Sequence, residues 1–342
     1  MKRGRFLRLK PGPLRRLVIL AIILVLFFGF GGTFSRIWTE YLWYKEVGYT
    51  TVFWTPVWGR LVVFAFVAVV FFAFFYGNLW LARKISPRLL PVRGAPEGEV
   101  FDLAPRRRWP GRLMLIVSII VAVVIGVIYS GRWREIFLAF NGQDFGYQDP
   151  IFHKDAAFYV FTLPVWKMAV NFVGITLLVT FLATVFTYVV DRALVLNERN
   201  KIRPAPHVKA HLSVILALAM LAKAGDYMIQ TWSLNFSTRG VVFGASYTDI
   251  HASLPVLRFL AVVSLVAAVL FLANIRYRGW RLPAVAIVLM FLTWAIAGKA
   301  YPAIVQQYRV SPNEIAAESP YIANNIEATR WAFGLDKIKN VP

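Results

Sequence analysis

The chain has 342 residues, 58% of them hydrophobic and 16% charged, with 28 Phe, 14 Tyr and 12 Trp, which is too apolar for an ordinary water-soluble domain of this length. Cysteine is absent, excluding disulfides, thiolate metal sites and cysteine nucleophiles. The formal net charge of +21 sits in short connections between apolar segments, so retention beside an anionic membrane face explains it and no nucleic-acid partner is expected.

Residues 1–16 form a basic amino terminus containing Lys2, Arg3, Arg5, Arg8, Lys10, Arg15 and Arg16. The first apolar segment, Leu17 to Phe34, reads as a retained membrane helix. It is long for the apolar region of a cleaved signal, the competing reading, and Ser35-Arg36-Ile37-Trp38 follows where small residues would mark a cleavage site. The other expected spans are Val57 to Ala82, Leu113 to Ser130, Val165 to Val190, His211 to Gln230, Leu254 to Ala273 and Pro283 to Tyr301. Each supplies roughly the 17 to 25 residues that cross a hydrocarbon layer as a helix, in which every backbone group finds a partner within the segment. Pro56, Pro164 and Pro283 lie where helix starts are expected, and Trp54, Trp58, Trp133, Trp166, Trp232 and Trp280 flank the spans like an aromatic belt.

Basic residues set the expected orientation. They crowd the amino terminus, the second gap (Arg83 through Arg112), the fourth (Arg192 through Lys209) and the short sixth (Arg276, Arg278, Arg281), while the first, third and fifth gaps are poor in them. Seven crossings from a cytoplasmic amino terminus put all four rich regions inside, where they would meet anionic lipids, and leave the carboxyl-terminal segment outside. The expected architecture is therefore an all-α polytopic integral membrane protein. It has a cytoplasmic tail at 1–16, a seven-helix membrane domain at 17–301 with an interfacial loop at 131–164, and an extracytoplasmic tail at 302–342. That loop mixes turn formers with aromatics from Phe140 to Phe161, as suits a lid or a segment lying along a membrane surface, with a ligand site as the competing reading.

Several stretches resemble a known family. They are Phe145-Gly146-Tyr147-Gln148-Asp149-Pro150-Ile151-Phe152, the run Asp155 to Pro164, the run Tyr301 to Glu314, Glu318-Ser319-Pro320-Tyr321-Ile322, Asn324 to Arg330 and Ala332 to Asp336. Together they are similar to bacterial membrane proteins of uncharacterised protein family 0182. The resemblance implies a bacterial plasma-membrane protein with seven helices and brings no reaction, substrate or catalytic residues. It also implies a large extracytoplasmic region after the tail, so the tail is expected to lead into a further domain.

Few residues offer chemistry. Lys223 and Asp226 are three apart and Gln230 four beyond, which puts them on one face of the fifth span. A structural ion pair and an ion or substrate path are both open readings, as is a span that ends near Lys223. Lys299 and Tyr301 stand near the end of the last span, where snorkelling and anchoring compete with a role at a pore mouth. His207 and His211 have metal-pair spacing, but no nearby Glu completes a zincin motif and Lys209 repels a cation, so no metal is expected. No cofactor or catalytic constellation is expected. The favoured function is a non-enzymatic membrane scaffold for an extracytoplasmic domain or partner, with ion or small-solute transport and a membrane-embedded enzyme as alternatives.

Overall fold

A computed structural model describes residues 31–86, 111–191, 194–196, 202–204, 206–277, 279 and 281–338. The chain forms two compact units, Met1–Val62 and Val63–Pro342. The expected first span lies outside the described residues except for 31–34, as do residues 1–16 and most of the basic second gap.

In the first unit a helix over residues 31–46 (α1) ends at a tight link, where Gly48 takes a φ of +77° that a side chain would oppose. The chain then enters α2 (Thr50–Ile85). Tyr41 packs its ring edgewise against Phe53 and Trp54, at centroid distances of 5.4 and 6.2 Å.

The second unit continues α2 and adds α3 (Gly111–Ser130), the short α4 (Trp133–Asn141) and α5 (Leu163–Val190). A hairpin of three-residue strands follows, β1 (Leu194–Leu196) antiparallel to β2 (Ile202–Pro204), and it leads to α6 (Pro206–Ser233), α7 (Leu254–Tyr277) and α8 (Arg281–Thr293). Beyond α8 the chain stays helical through α9 (Tyr301–Val305) to Val310, breaks at Asn313 and resumes as α10 (Glu314–Ala332). Six helical segments among the described residues are long and apolar enough to cross a membrane. They overrun the apolar stretches by several residues: α2 starts at Thr50 and contains Pro56, and the α6 helix extends from Pro206 to Ser233. The sixth segment, Arg281–Ala332, has 52 residues, and ~78 Å of helix at 1.5 Å per residue greatly exceeds a hydrocarbon layer of about 30 Å. Only its apolar first part can be a span.

The helices are inverted relative to a soluble bundle. On α3 the small residues Ser118, Ala122 and Gly126 are buried, while Ile119, Ile120, Val123, Val124, Val127 and Ile128 face outward. Lipid offers no hydrophobic drive between helices, so close backbone approach and van der Waals contact hold them together. A β-carbon on Gly126 would come within 2.9 Å of the Phe64 ring and 3.0 Å of the Ala68 methyl, both on α2. Phe71, Phe75, Leu79, Met114 and Ala122 form the core of this contact. Polar pairing ties the next helices, with Asn274 Nδ2 of α7 donating to Ser213 Oγ of α6 at 3.0 Å.

Prolines shape one end of the bundle, the end where α6 finishes and α7 starts, called the cap end below. Four π-helical turns occur among the described residues, at Phe158–Thr162, Asp249–Ser253, Trp294–Ala300 and Gln306–Val310. Each is followed by one residue and then a proline: Pro164, Pro255, Pro302 and Pro312. A proline in a helix has no N–H and presses its ring on the carbonyl four residues back. In each case the residue before the proline reaches back five positions: Leu163 N–H to Phe158 O, Leu254 N–H to Asp249 O, Tyr301 N–H to Ile296 O and Ser311 N–H to Gln306 O. The widened turn accommodates the ring without ending the helix.

Gly126→Val is expected to lower the melting temperature of the detergent-solubilised protein, with a loss of about 1–3 kcal/mol from overpacking against Phe64 and Ala68. Outward-facing Val127→Leu serves as the control and should leave it unchanged.

Candidate functional site

The three polar residues of α6 form one unit. Asp226 Oδ2 accepts from Lys223 Nζ at 2.6 Å and from Gln230 Nε2 at 2.8 Å, and the ammonium also lies 4.6 Å from the Tyr227 ring centroid. Lys223 and Asp226 neutralise each other within one turn, and their side chains are 40% and 33% exposed, so neither charge is sealed in the bundle. Asp226 lies seven residues from the end of α6, about 10 Å along the axis. The expected same-face arrangement is present, close to the cap end.

Gln230 also lines a cleft of about 360 Å³ between α6, α7 and the helix beyond α8, which contains Lys299. Of the two groups of residues that the sequence singled out, one member each, Gln230 and Lys299, lines this cleft, whereas Lys223, Asp226 and Tyr301 are not among the lining residues. Two π turns furnish much of the polar lining. Asp249 and Ser253 come from the turn before Pro255, and Trp294, Gly298 and Lys299 come from the turn before Pro302. Arg239 enters from the α6–α7 connection, its Nη1 donating to Asp249 Oδ1 at 3.0 Å and to Ser253 Oγ at 2.9 Å. Val256, Leu257 and Leu260 form an apolar wall. Lys299 has no ion pair among the described residues, and its ammonium lies 5.9 Å from the Trp294 ring centroid.

Beside the cleft, the start of the α7 helix is capped twice. Ser246 Oγ and the Asp249 carboxylate exchange hydrogen bonds with each other's backbone amides, the reciprocal pattern of a capping box. The next amide, Tyr247 N–H, donates to both carboxylate oxygens of Glu318 at 3.2 Å. Glu318 belongs to α10 and is 2% exposed. The chain beyond α8 is therefore folded back onto the α6–α7 connection. Thr248 Oγ1 donates to Gln306 Oε1 at 2.6 Å, Asn325 Nδ2 donates to Phe243 O at 2.7 Å, and the Tyr147 and Trp331 rings lie 4.9 Å apart. A β-carbon on Gly240 would meet the Ser246 side chain at 2.9 Å, so this connection tolerates no larger residue without shifting.

The connection between α4 and α5 completes the cap. Asp155 accepts hydrogen bonds from the backbone amides of Phe145, Ala157 and Gly146, and these donors hold its carboxyl below the usual carboxylate range. Asp149 accepts from Phe152 N–H and from the Tyr159 hydroxyl. Gly146 and His153 take positive φ angles of 77° and 53° inside this turn-rich stretch.

At the opposite end, His211 links three helices instead of binding a metal with His207. Its Nε2 is 3.0 Å from Asn78 Oδ1 of α2, and its Nδ1 is 2.7 Å from the Tyr188 hydroxyl of α5. Asn78 Nδ2 donates to Phe74 O, which orients the amide so that its oxygen accepts from Nε2–H, leaving Nδ1 to accept from the tyrosine. No group of three or more His, Cys, Asp or Glu with metal-site spacing occurs among the described residues.

Crossing helices with lipid-suited exteriors and a folded cap define a multi-pass membrane protein, and its bacterial relatives place it in a bacterial plasma membrane. Residues 17–342 match the model described as Uncharacterised protein family (UPF0182), and the chain belongs to that family. It is 35% identical over 327 residues to a UPF0182 protein of Frankia casuarinae, covering 96% of this chain and 31% of the relative. A UPF0182 protein of Desulforamulus reducens is 35% identical over 341 residues, covering 94% and 36%, and one of Geobacter sp. strain M21 is 31% identical over 334 residues, covering 96% and 36%. The chain spans about a third of the length of these curated relatives. No solved structure matches it.

Lys223→Ala and Asp226→Ala are each expected to lower thermal stability, with the double variant less damaged than their sum. A half-exposed pair should give a coupling of about 0.5–1 kcal/mol. Strictly additive losses in the double-mutant cycle would contradict the pairing.

Proposed function

We propose that this chain is a seven-span membrane platform, amino terminus inside, whose cap faces outward and carries an extracytoplasmic domain or partner protein. The observation that carries the reading is the fold-back of α10 onto the α6–α7 connection through Glu318, Gln306 and Asn325. A segment that merely left the bilayer would need no buried carboxylate. Among the described basic residues of the second, fourth and sixth gaps, Arg83, Lys84, Arg112, Lys209, Arg276 and Arg281 stand at the helix ends away from the cap, which supports the orientation and contact with anionic lipids there. On the cap itself, Tyr308, Ile315 and Phe333 are 78%, 83% and 77% exposed, and large apolar side chains outside a span favour being covered. The short α4, with Phe137, Leu138 and Phe140 outward, suits a helix lying in the membrane interface.

Transport is the second reading and rests on Asp226, Gln230 and the cleft beside them. The chain's lack of cysteine makes accessibility labelling clean. Ser319→Cys should react with an impermeant reagent added outside intact cells and Arg107→Cys should be protected, and a photocrosslinker at Ile315 or Phe333 should yield one recurring extracytoplasmic protein adduct. The reverse labelling pattern would reverse the platform. Solute flux by the purified chain in liposomes, lost in a folded Asp226→Asn variant without any crosslinked partner, would put transport first.

A further inference from the structure

We propose that the cleft at the cap end is a binding site for a phosphate-bearing amphiphile, with the anionic group between Arg239 and Lys299 and the hydrocarbon part along Val256, Leu257 and Leu260. The inference stands on the cleft alone and holds whichever way the platform is oriented. Its volume of about 360 Å³ lies in the range of small-molecule sites, and its lining combines charged and polar side chains with the apolar Val256, Leu257 and Leu260. That mixture fits a molecule with a charged head and an apolar tail better than it fits a bare ion or an oil.

The charges give the sign. Among the lining residues Arg239 and Lys299 are cations and Asp249 is the one carboxylate, a net charge of +1 from two positive and one negative group. Asp249 is 2% exposed and both its oxygens are occupied, Oδ1 by Arg239 and Oδ2 by the Ser246 amide and hydroxyl. It therefore orients the guanidinium and is not itself available to a cation. Arg239 uses Nη1 for Asp249 and Ser253, while its Nη2 and Nε groups make no hydrogen bond among the described residues. The neighbouring Asp226 is neutralised by Lys223 on its own helix, and Gln230 turns its amide nitrogen to Asp226, which leaves its carbonyl oxygen without a hydrogen bond among the described residues. Lys299 is the cation with no carboxylate partner, held on a π turn with Trp294 beside it. A guanidinium with open donors and an ammonium lining one cleft suit a phosphate oxygen set.

The test uses the full chain in phosphatidylcholine nanodiscs with phosphatidylglycerol titrated in, bound lipid being counted by native mass spectrometry. One phosphatidylglycerol should be retained by the wild type, and Lys299→Gln should weaken its binding about tenfold or more, the loss expected for one charged hydrogen bond. Lys299→Arg should stay within about threefold. Because Lys299 has no ion-pair partner to lose, Lys299→Gln should melt with the wild type, and Arg106→Gln/Arg107→Gln/Arg108→Gln separates this site from lipid held by the basic second gap. Inorganic phosphate is titrated in a parallel arm. Lys299-dependent binding of inorganic phosphate without retention of phosphatidylglycerol would keep the anion site and overturn its amphiphile. Equal phosphatidylglycerol retention by wild type and Lys299→Gln, with no phosphate binding by either, would overturn the site altogether.

Discussion

At the start of the α7 helix a backbone amide, Tyr247 N–H, is taken by a carboxylate 71 residues further along the chain. A helix N-terminus presents several amides without intrahelical partners and a partial positive charge, and near a membrane such groups cannot rely on water. Ser246 and Asp249 satisfy each other's amides locally, and a further donor, Tyr247 N–H, goes to Glu318. With Glu318 2% exposed, separation of α10 would leave an amide and a carboxylate to be rehydrated together. Gln306, Tyr321 and Asn325 then fall against Thr248, His251 and Phe243 as consequences of that one anchor.

The prolines contribute a second constraint. A proline that terminated each helix would separate the bundle from the cap, whereas a π turn lets the helix run on and displaces side chains around its axis. Two such turns face the cleft. One brings Asp249 and Ser253 to Arg239, and the other brings Trp294 and Lys299 to the same cleft. The cleft is thus a product of backbone chemistry at Pro255 and Pro302 as much as of the side chains that line it.

Apolar run length located the six long apolar helices among the described residues, because in lipid a long apolar segment has only the helix to satisfy its backbone. Their ends were harder to place, since residues such as Thr50, Pro206 and Tyr277 extend helices past the apolar stretch. The Lys223, Asp226 and Gln230 cluster was readable because three- and four-residue spacing is a local property. That Gln230 lines one cleft with Lys299 was not, being set by how α6 packs against α7 and the helix beyond α8. Ser246-Tyr247-Thr248-Asp249 carried the capping-box spacing in plain view, yet nothing around Glu318 marks it as the residue that takes Tyr247 N–H. Pro164 read as a helix start, and only the five-residue hydrogen bonds of the preceding residues reveal that it, like Pro255 and Pro302, lies inside continuous helix.

The central claim is that one buried carboxylate joins α10 to the α6–α7 connection, and hydrogen exchange followed by mass spectrometry on the detergent-solubilised protein tests it most directly. In Glu318→Ala, peptides covering 243–250 and 314–332 should both exchange about tenfold faster or more, as expected when a buried charged hydrogen bond is lost, while peptides from α3 keep their wild-type rates. Faster exchange confined to 314–332, with 243–250 unchanged, would contradict the account.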